Sequence, residues 1–191
     1  MPPIVIVPYR TDWPDDFQAL ARALRQALGA RAERIDHIGS TSVPGLAAKD
    51  IIDVQVTVAA IDAAISPALV AAGFDPIERY FKDHVPPGMS PEPAEAWSKL
   101  FFRSANSARA ANIHVRVAGR PNQRFALLFR DYLRANPPCA AAYAELKRRL
   151  AAKLADPATY PEVKDPAVDQ IYFAAEAWAA TVSWQPGPAD A

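Results

Sequence analysis

The chain has 191 residues, 51% of them hydrophobic and 9% aromatic, and its 21 basic side chains are matched by 21 acidic ones. That length and balance describe a single domain with an ordinary core, and exclude a disordered or uniformly charged chain. The apolar runs are too short and too often interrupted by charge to cross a bilayer, and a lone cysteine, Cys139, excludes an internal disulfide.

The N-terminal residues lack a basic stretch and a cleavage site, so no secretory leader is expected and a cytoplasmic location is the default. Asp12-Trp-Pro-Asp-Asp opens a helix, with a capping acid, an early proline and acids in the first turn. Phe17, Leu20, Leu24 and Leu28 continue it at helical spacing until Gly29 stops it. A short strand over 33–38 leads into Gly39-Ser40. From 51 to 58 the residues alternate, with Ile52, Val54, Val56 and Val58 on one face and Asp53, Gln55 and Thr57 on the other.

A helix offset near Pro67 is expected over 59–73, and a strand within 74–81. Five breakers between 83 and 95 predict an irregular, mobile loop that could act as a lid. Residues 99–103 and 112–117 read as a hairpin joined by the small, polar link 104–111. Helices follow over 125–135, 138–154 and 165–184, and 186–191 is expected to fray, leaving 1–185 as one domain. The order predicts an α+β fold, a mixed or antiparallel sheet with flanking helices and a helical C-terminal portion.

Chemistry concentrates between His37 and Val56. A Gly-Ser pair with two further hydroxyls can approach a phosphate closely, and an acid on the next strand can hold a divalent metal against it. Gly39, Ser40, Thr41 and Ser42 are therefore candidate phosphate ligands, with Lys49 to neutralise charge and Asp53 as metal ligand. Eight basic residues against two acids lie between Arg120 and Lys153. They read either as a solvated helical face or as a positive field for a phosphorylated small molecule. Arg130, Lys147 and Lys164 are the candidates to reach the loop, while Arg149 and Lys153 are expected to face solvent. No overall basic excess points to nucleic acid.

The stretch from His37 to Asp53 closely resembles the hallmark of the GrpB family. Asn112-Ile-His-Val, Phe129-Arg-Asp-Tyr-Leu-Arg134, Tyr143-Ala-Glu-Leu-Lys147 and Tyr160-Pro-Glu-Val-Lys164 resemble its later elements. The resemblance implies a nucleotidyltransferase-like fold, in which a Gly-Ser loop precedes a strand bearing two acids. It also implies a link to nucleotide or CoA metabolism, since a similar domain occurs joined to dephospho-CoA kinase. Against that pattern, Gln55 stands where the second acid belongs and His114 where a third is expected, while Asp50 replaces a frequent proline.

Asp53 and His114 are thus the expected catalytic and metal-binding pair, for Mg²⁺ or a transition metal, with Gln55 beside them as a ligand contact. The function expected is binding of a nucleotide or other phosphorylated small molecule, with transfer of a nucleotidyl or phosphoryl group to a small molecule. Two alternatives stay open: a non-catalytic nucleotide- or CoA-binding module, and an interaction protein with a vestigial pocket. In the plain structural alternative, Thr41 and Ser42 build a tight turn, Asp53 caps N–H groups, and His37 and His114 are satisfied core histidines.

Overall fold

The computed structural model describes residues 3–104 and 109–191, with Ala94 described by its backbone alone. Helix α1 (Trp13–Leu28) buries Trp13, Phe17, Leu20, Ala21, Leu24 and Leu28 as one stripe and ends at Gly29, whose φ of 55° suits glycine. Asp12 does not cap it. Its carboxylate pairs with Arg10 instead.

Five strands follow: β1 (Arg34–Ile38), β2 (Ile52–Val58), β3 (Phe74–Pro76), β4 (Leu100–Ser104) and β5 (Ala111–Val117). They form one sheet in the order β1-β2-β5-β4-β3, antiparallel throughout except for the parallel β2–β5 pair. The fold is thus mixed α+β. The β4–β5 hairpin forms as its sequence predicts, and residues 105–108 of its link lie outside the described residues. Val54, Val56, Ile113 and Val115 share a core with α1 and α2 (Ile65–Ala71). Alternation sends Asp53, Gln55 and Thr57 to the opposite face, in register with Asn112, His114 and Arg116.

Two elements are shorter than the pattern suggests. Helix α2 begins only at Ile65, because Asp62 first forms a turn with the Ala64 amide; Pro67 then falls in the first helical turn, where no N–H is needed. Strand β3 ends at Pro76, which cannot donate to a ladder, and the chain turns through Glu78–Tyr80.

Helices α3 (Pro121–Ala135), α4 (Pro137–Lys153) and α5 (Tyr160–Val182) start earlier than expected, since their prolines occupy first-turn positions and open the helices. They build a second core around Val43, Leu46 and Ala47 of the loop between β1 and β2. Residues 186–191 do not fray. Ala191 exchanges backbone hydrogen bonds with Ile35 on edge strand β1, and the Asp190 carboxylate accepts from the His37 amide at 2.9 Å and from Arg130 at 2.7 Å. The open edge and a buried guanidinium give that segment its partners. Among the described residues no helix is long and apolar enough to cross a membrane.

Candidate functional site

β1 runs into Gly39, at φ 68°, and then a 3₁₀ turn, Ser40–Ser42. A Cβ on Gly39 would collide with the Asp53 carboxylate, so the glycine is what lets the loop lie against β2. The three hydroxyls have different duties. Thr41 Oγ1 meets His37 Nε2 at 2.9 Å, and Ser42 Oγ donates to the Gly39 carbonyl at 2.6 Å. Both brace the turn. Ser40 Oγ instead accepts from Lys147 Nζ at 2.8 Å and borders a cleft of about 440 Å³.

Five cations reach that cleft from four segments: Lys49 before β2, Lys99 and Arg103 around β4, Lys147 on α4 and Lys164 on α5; Asp53, Asp83 and Asp165 are its acids. Neutral groups hold the lysines nearest the loop. Lys147, only 3% exposed, donates to the Ala47 carbonyl at 2.5 Å and lies over the Tyr143 ring. Lys49 lies 5.0 Å over the Tyr160 ring, and Lys164 is 3.5 Å from the Tyr143 hydroxyl. Among the described residues, none of these three forms an ion pair with a carboxylate. Burial, reinforced by Lys164, pushes Lys147 down to about 7, and burial also lowers Lys49 and Lys164. The loop end of the cleft is a positive field short of counter-charge.

Deeper on the same face the charges are fully paired. Asp83 accepts from Lys99 at 2.5 Å, from Arg116 at 2.8 and 3.0 Å and from Asn122 at 3.1 Å. Burial opposes its charge, but Arg116 and Lys99 more than offset that and hold its carboxyl well below the usual range. Arg116 also donates to Gln55 Oε1 at 2.7 Å, and Gln55 Nε2 donates to the Gln123 carbonyl. Gln55 is 0% exposed and lies outside the cleft. Its expected ligand contact is therefore corrected: a neutral amide here is the buried bracket for a guanidinium.

His114 joins the two regions. Its Nδ1 lies 3.3 Å from Lys99 Nζ and 3.2 Å from Arg116 Nη2, both donors without a lone pair. These partners assign Nδ1 as the acceptor, so the ring proton sits on Nε2, 3.9 Å from Asp53 Oδ1. That separation is too long for a hydrogen bond. Burial, followed by Lys99 and Arg116, pushes His114 down to about 4. Asp53 accepts from Asn112 at 2.8 Å and keeps 30% of its side chain exposed. Burial raises its carboxyl, yet His114, Asn112 and Lys49 together hold it below the usual value.

This donor set does not fit the metal centre expected from the sequence. One ring nitrogen of His114 faces two cations and the other carries a proton, Gln55 Oε1 is taken by Arg116, and Asp83 is saturated. Among the described residues no three His, Cys, Asp or Glu side chains converge to hold a metal ion. Asp53 and Asp165 are left, too few by themselves to enclose an ion.

Of the sequence candidates, Ser40, Thr41, Lys49, Asp53, His114, Lys147 and Lys164 meet in the cleft, with Gly39 in its continuation toward Phe125 and Phe129. Ser42 and Arg130 do not. Arg130 is pinned behind the loop by Asp131, Asp190 and the His37 carbonyl, and Asp50 turns away to Arg109, Trp13 and Arg10. Sequence reasoning missed Asp83, Lys99 and Arg116. Asp83 was hidden at the start of the proline-rich segment, of which it is the residue that lines the cleft; beyond it His84 is tied to Asp169 at 3.0 Å.

Comparison with known proteins bears on this arrangement. The family model described as GrpB protein matches residues 3–173. A protein named dephospho-CoA kinase from Mycolicibacterium paratuberculosis is 38% identical over 200 residues, covering 96% of this chain and 49% of that protein. The chain spans about half the length of that relative, whose name describes the longer protein. The crystal structure of conserved protein GrpB from Enterococcus faecalis superposes with a TM-score of 0.74 at 29% identity, covering 91% of this chain and 99% of that one. A looser likeness, with a TM-score of 0.48 at 15% identity over 76% of this chain and 42% of the other, is to Cid1 in complex with its short product ApU.

Proposed function

The chain belongs to the GrpB family, and from the geometry of its cleft we propose that it binds a phosphorylated small molecule, of the nucleotide or CoA type, at the lysine-rich end. One observation carries this reading: Lys49, Lys147 and Lys164 converge beside Ser40 from three separate segments, in direct contact with neutral groups and with only Asp53 and Asp165 near enough to offset their charge. Three ammonium groups brought together in a half-enclosed cleft repel one another, and the arrangement is favourable when an anion fills it. A phosphate offers several acceptor oxygens and the charge to match. Transfer of a phosphoryl or nucleotidyl group to a small-molecule hydroxyl is the finer reading. The ionised and accessible Asp53 favours it, because a carboxylate there can take the hydroxyl proton.

Titration calorimetry with ATP and CoA tests both levels. Lys164→Met is expected to weaken binding about ten- to a hundredfold, the worth of a charge-assisted hydrogen bond. Asp53→Asn should retain or tighten binding, since it removes a negative charge, while abolishing any transfer measured alongside. A ligand whose affinity is indifferent to Lys164 and Lys147 would remove the basis of the proposal.

A further inference from the structure

A phosphate-binding cleft built beside a strand acid ordinarily uses a divalent ion to bring ligand and carboxylate together. Here the positions that would hold the ion are already filled by protein cations. Three separate contacts show it. Arg116 donates to Gln55 Oε1 at 2.7 Å, at the strand position two residues beyond Asp53. Lys99 Nζ and Arg116 Nη2 both face His114 Nδ1, at 3.3 and 3.2 Å. Asp83, which comes near the same face, is committed to Lys99 and Arg116. Gln55 Oε1, His114 Nδ1 and both oxygens of Asp83 already accept from nitrogen, which leaves Asp53 and Asp165 as the carboxylates of the cleft with lone pairs to spare.

Arg116 commits most of its donors to Asp83, Gln55 and His114, lies outside the cleft and serves as the bracket. Lys99 differs. Its ammonium has three protons and two hydrogen-bond acceptors, Asp83 at 2.5 Å and His114 at 3.3 Å, with the Phe101 ring centroid 5.3 Å away, and it borders the cleft. One proton is left to offer to a ligand. We infer that this cleft takes its phosphorylated ligand as the free anion, with Lys99 supplying the fixed positive charge that a divalent ion supplies elsewhere.

The inference rests on the phosphate-binding reading and adds the ionic form of the ligand to it. Charge balance points the same way. Five basic side chains against three acids line the cleft, so a dication entering with the ligand reduces the attraction the anion would meet. An anion stripped of its metal carries more charge and meets more attraction.

The test uses inorganic pyrophosphate and ATP as probes, titrated into the intact protein by calorimetry in EDTA and again in excess Mg²⁺, with Mn²⁺ binding followed by electron paramagnetic resonance. The expected result is binding in EDTA at least as tight as in Mg²⁺, and no Mn²⁺ bound by the protein in the absence of the probe. Lys99→Met should weaken binding in EDTA at least tenfold, and Lys99→Arg, which keeps the charge, should restore most of it. Binding that appears only with Mg²⁺, or tightens tenfold with it, overturns the inference and leaves the phosphate-binding reading standing. Undiminished binding in Lys99→Met overturns the role of Lys99. Absence of heat in both buffers overturns both readings. The comparison of buffers on the unmodified chain decides the matter even where Lys99→Met fails to fold.

Discussion

Two groups of cations share the polar side of the sheet and are treated in opposite ways. Around Asp83, Arg116 and Lys99 share one carboxylate, and all but the outermost of their donors are met within the protein. Around Ser40, Lys147 is buried, Lys164 half-buried and Lys49 exposed, and their direct contacts are hydroxyls, a carbonyl and aromatic rings. The first arrangement is what a fold needs to bury a charge. The second is left incomplete by the fold, and it lies where an external anion can complete it. The contrast separates residues that hold the site from those that wait for a ligand, which residue type alone does not do.

Removing Arg116 should break the paired group most severely. Arg116→Ala leaves Asp83 and Gln55 buried with lost partners, and a loss of about 3–5 kcal/mol is expected in chemical denaturation. A change below about 1 kcal/mol would place Arg116 among ordinary surface cations.

Acid should expose the next difference. His37 and His114 are both pushed down to about 4, burial being the main cause in each. The unfolded chain binds these protons near pH 6.5 and the folded one only near 4, so stability falls as pH drops through that window. The limit is about 3 kcal/mol per histidine. Melting curves from pH 7 to 4 should show the fall, with His37→Gln removing part of it.

The smallest effect has the opposite sign. Lys147→Met should raise stability by about 1 kcal/mol at pH 6, because it relieves a buried charge at the cost of the bond to Ala47. The folded value of about 7 lies below the ordinary 10.5, so the burial cost is complete below pH 7 and fades as the folded lysine sheds its proton. The gain should accordingly vanish toward pH 10. A variant stabilised at pH 6 that binds ATP poorly would sharpen the division; one destabilised by several kcal/mol would erase it.

The sheet was legible because its chemistry is local. The alternation of Ile52 to Val58 sorts apolar from polar side chains by itself, and Gly39 marks a close approach before any coordinate is known. The resemblance to the family's tyrosine–lysine elements also brought Lys147 and Lys164 to notice. What could not be read is which cation pairs with which acid. Asp83 looks like a loop residue until four donors surround it, and Arg130 looks like a phosphate contact until Asp190, 60 residues on, is found against it. Such pairings depend on long-range packing, which periodicity does not encode. Gln55 is the instructive case. Its mismatch with a metal site was visible in the sequence, but the reason for it is Arg116 on the neighbouring strand, two register positions farther along.

The contact of Ala191 with Ile35 also bears on how the molecule behaves at high concentration. An uncovered edge strand offers a row of amides and carbonyls to any extended segment, including one from another copy. Residues 190–191 occupy that row at Ile35 and His37, the latter through a carboxylate that simultaneously neutralises Arg130. One short segment thereby serves as a guard against sheet-to-sheet association, and cutting it away would turn a quiet surface into an adhesive one.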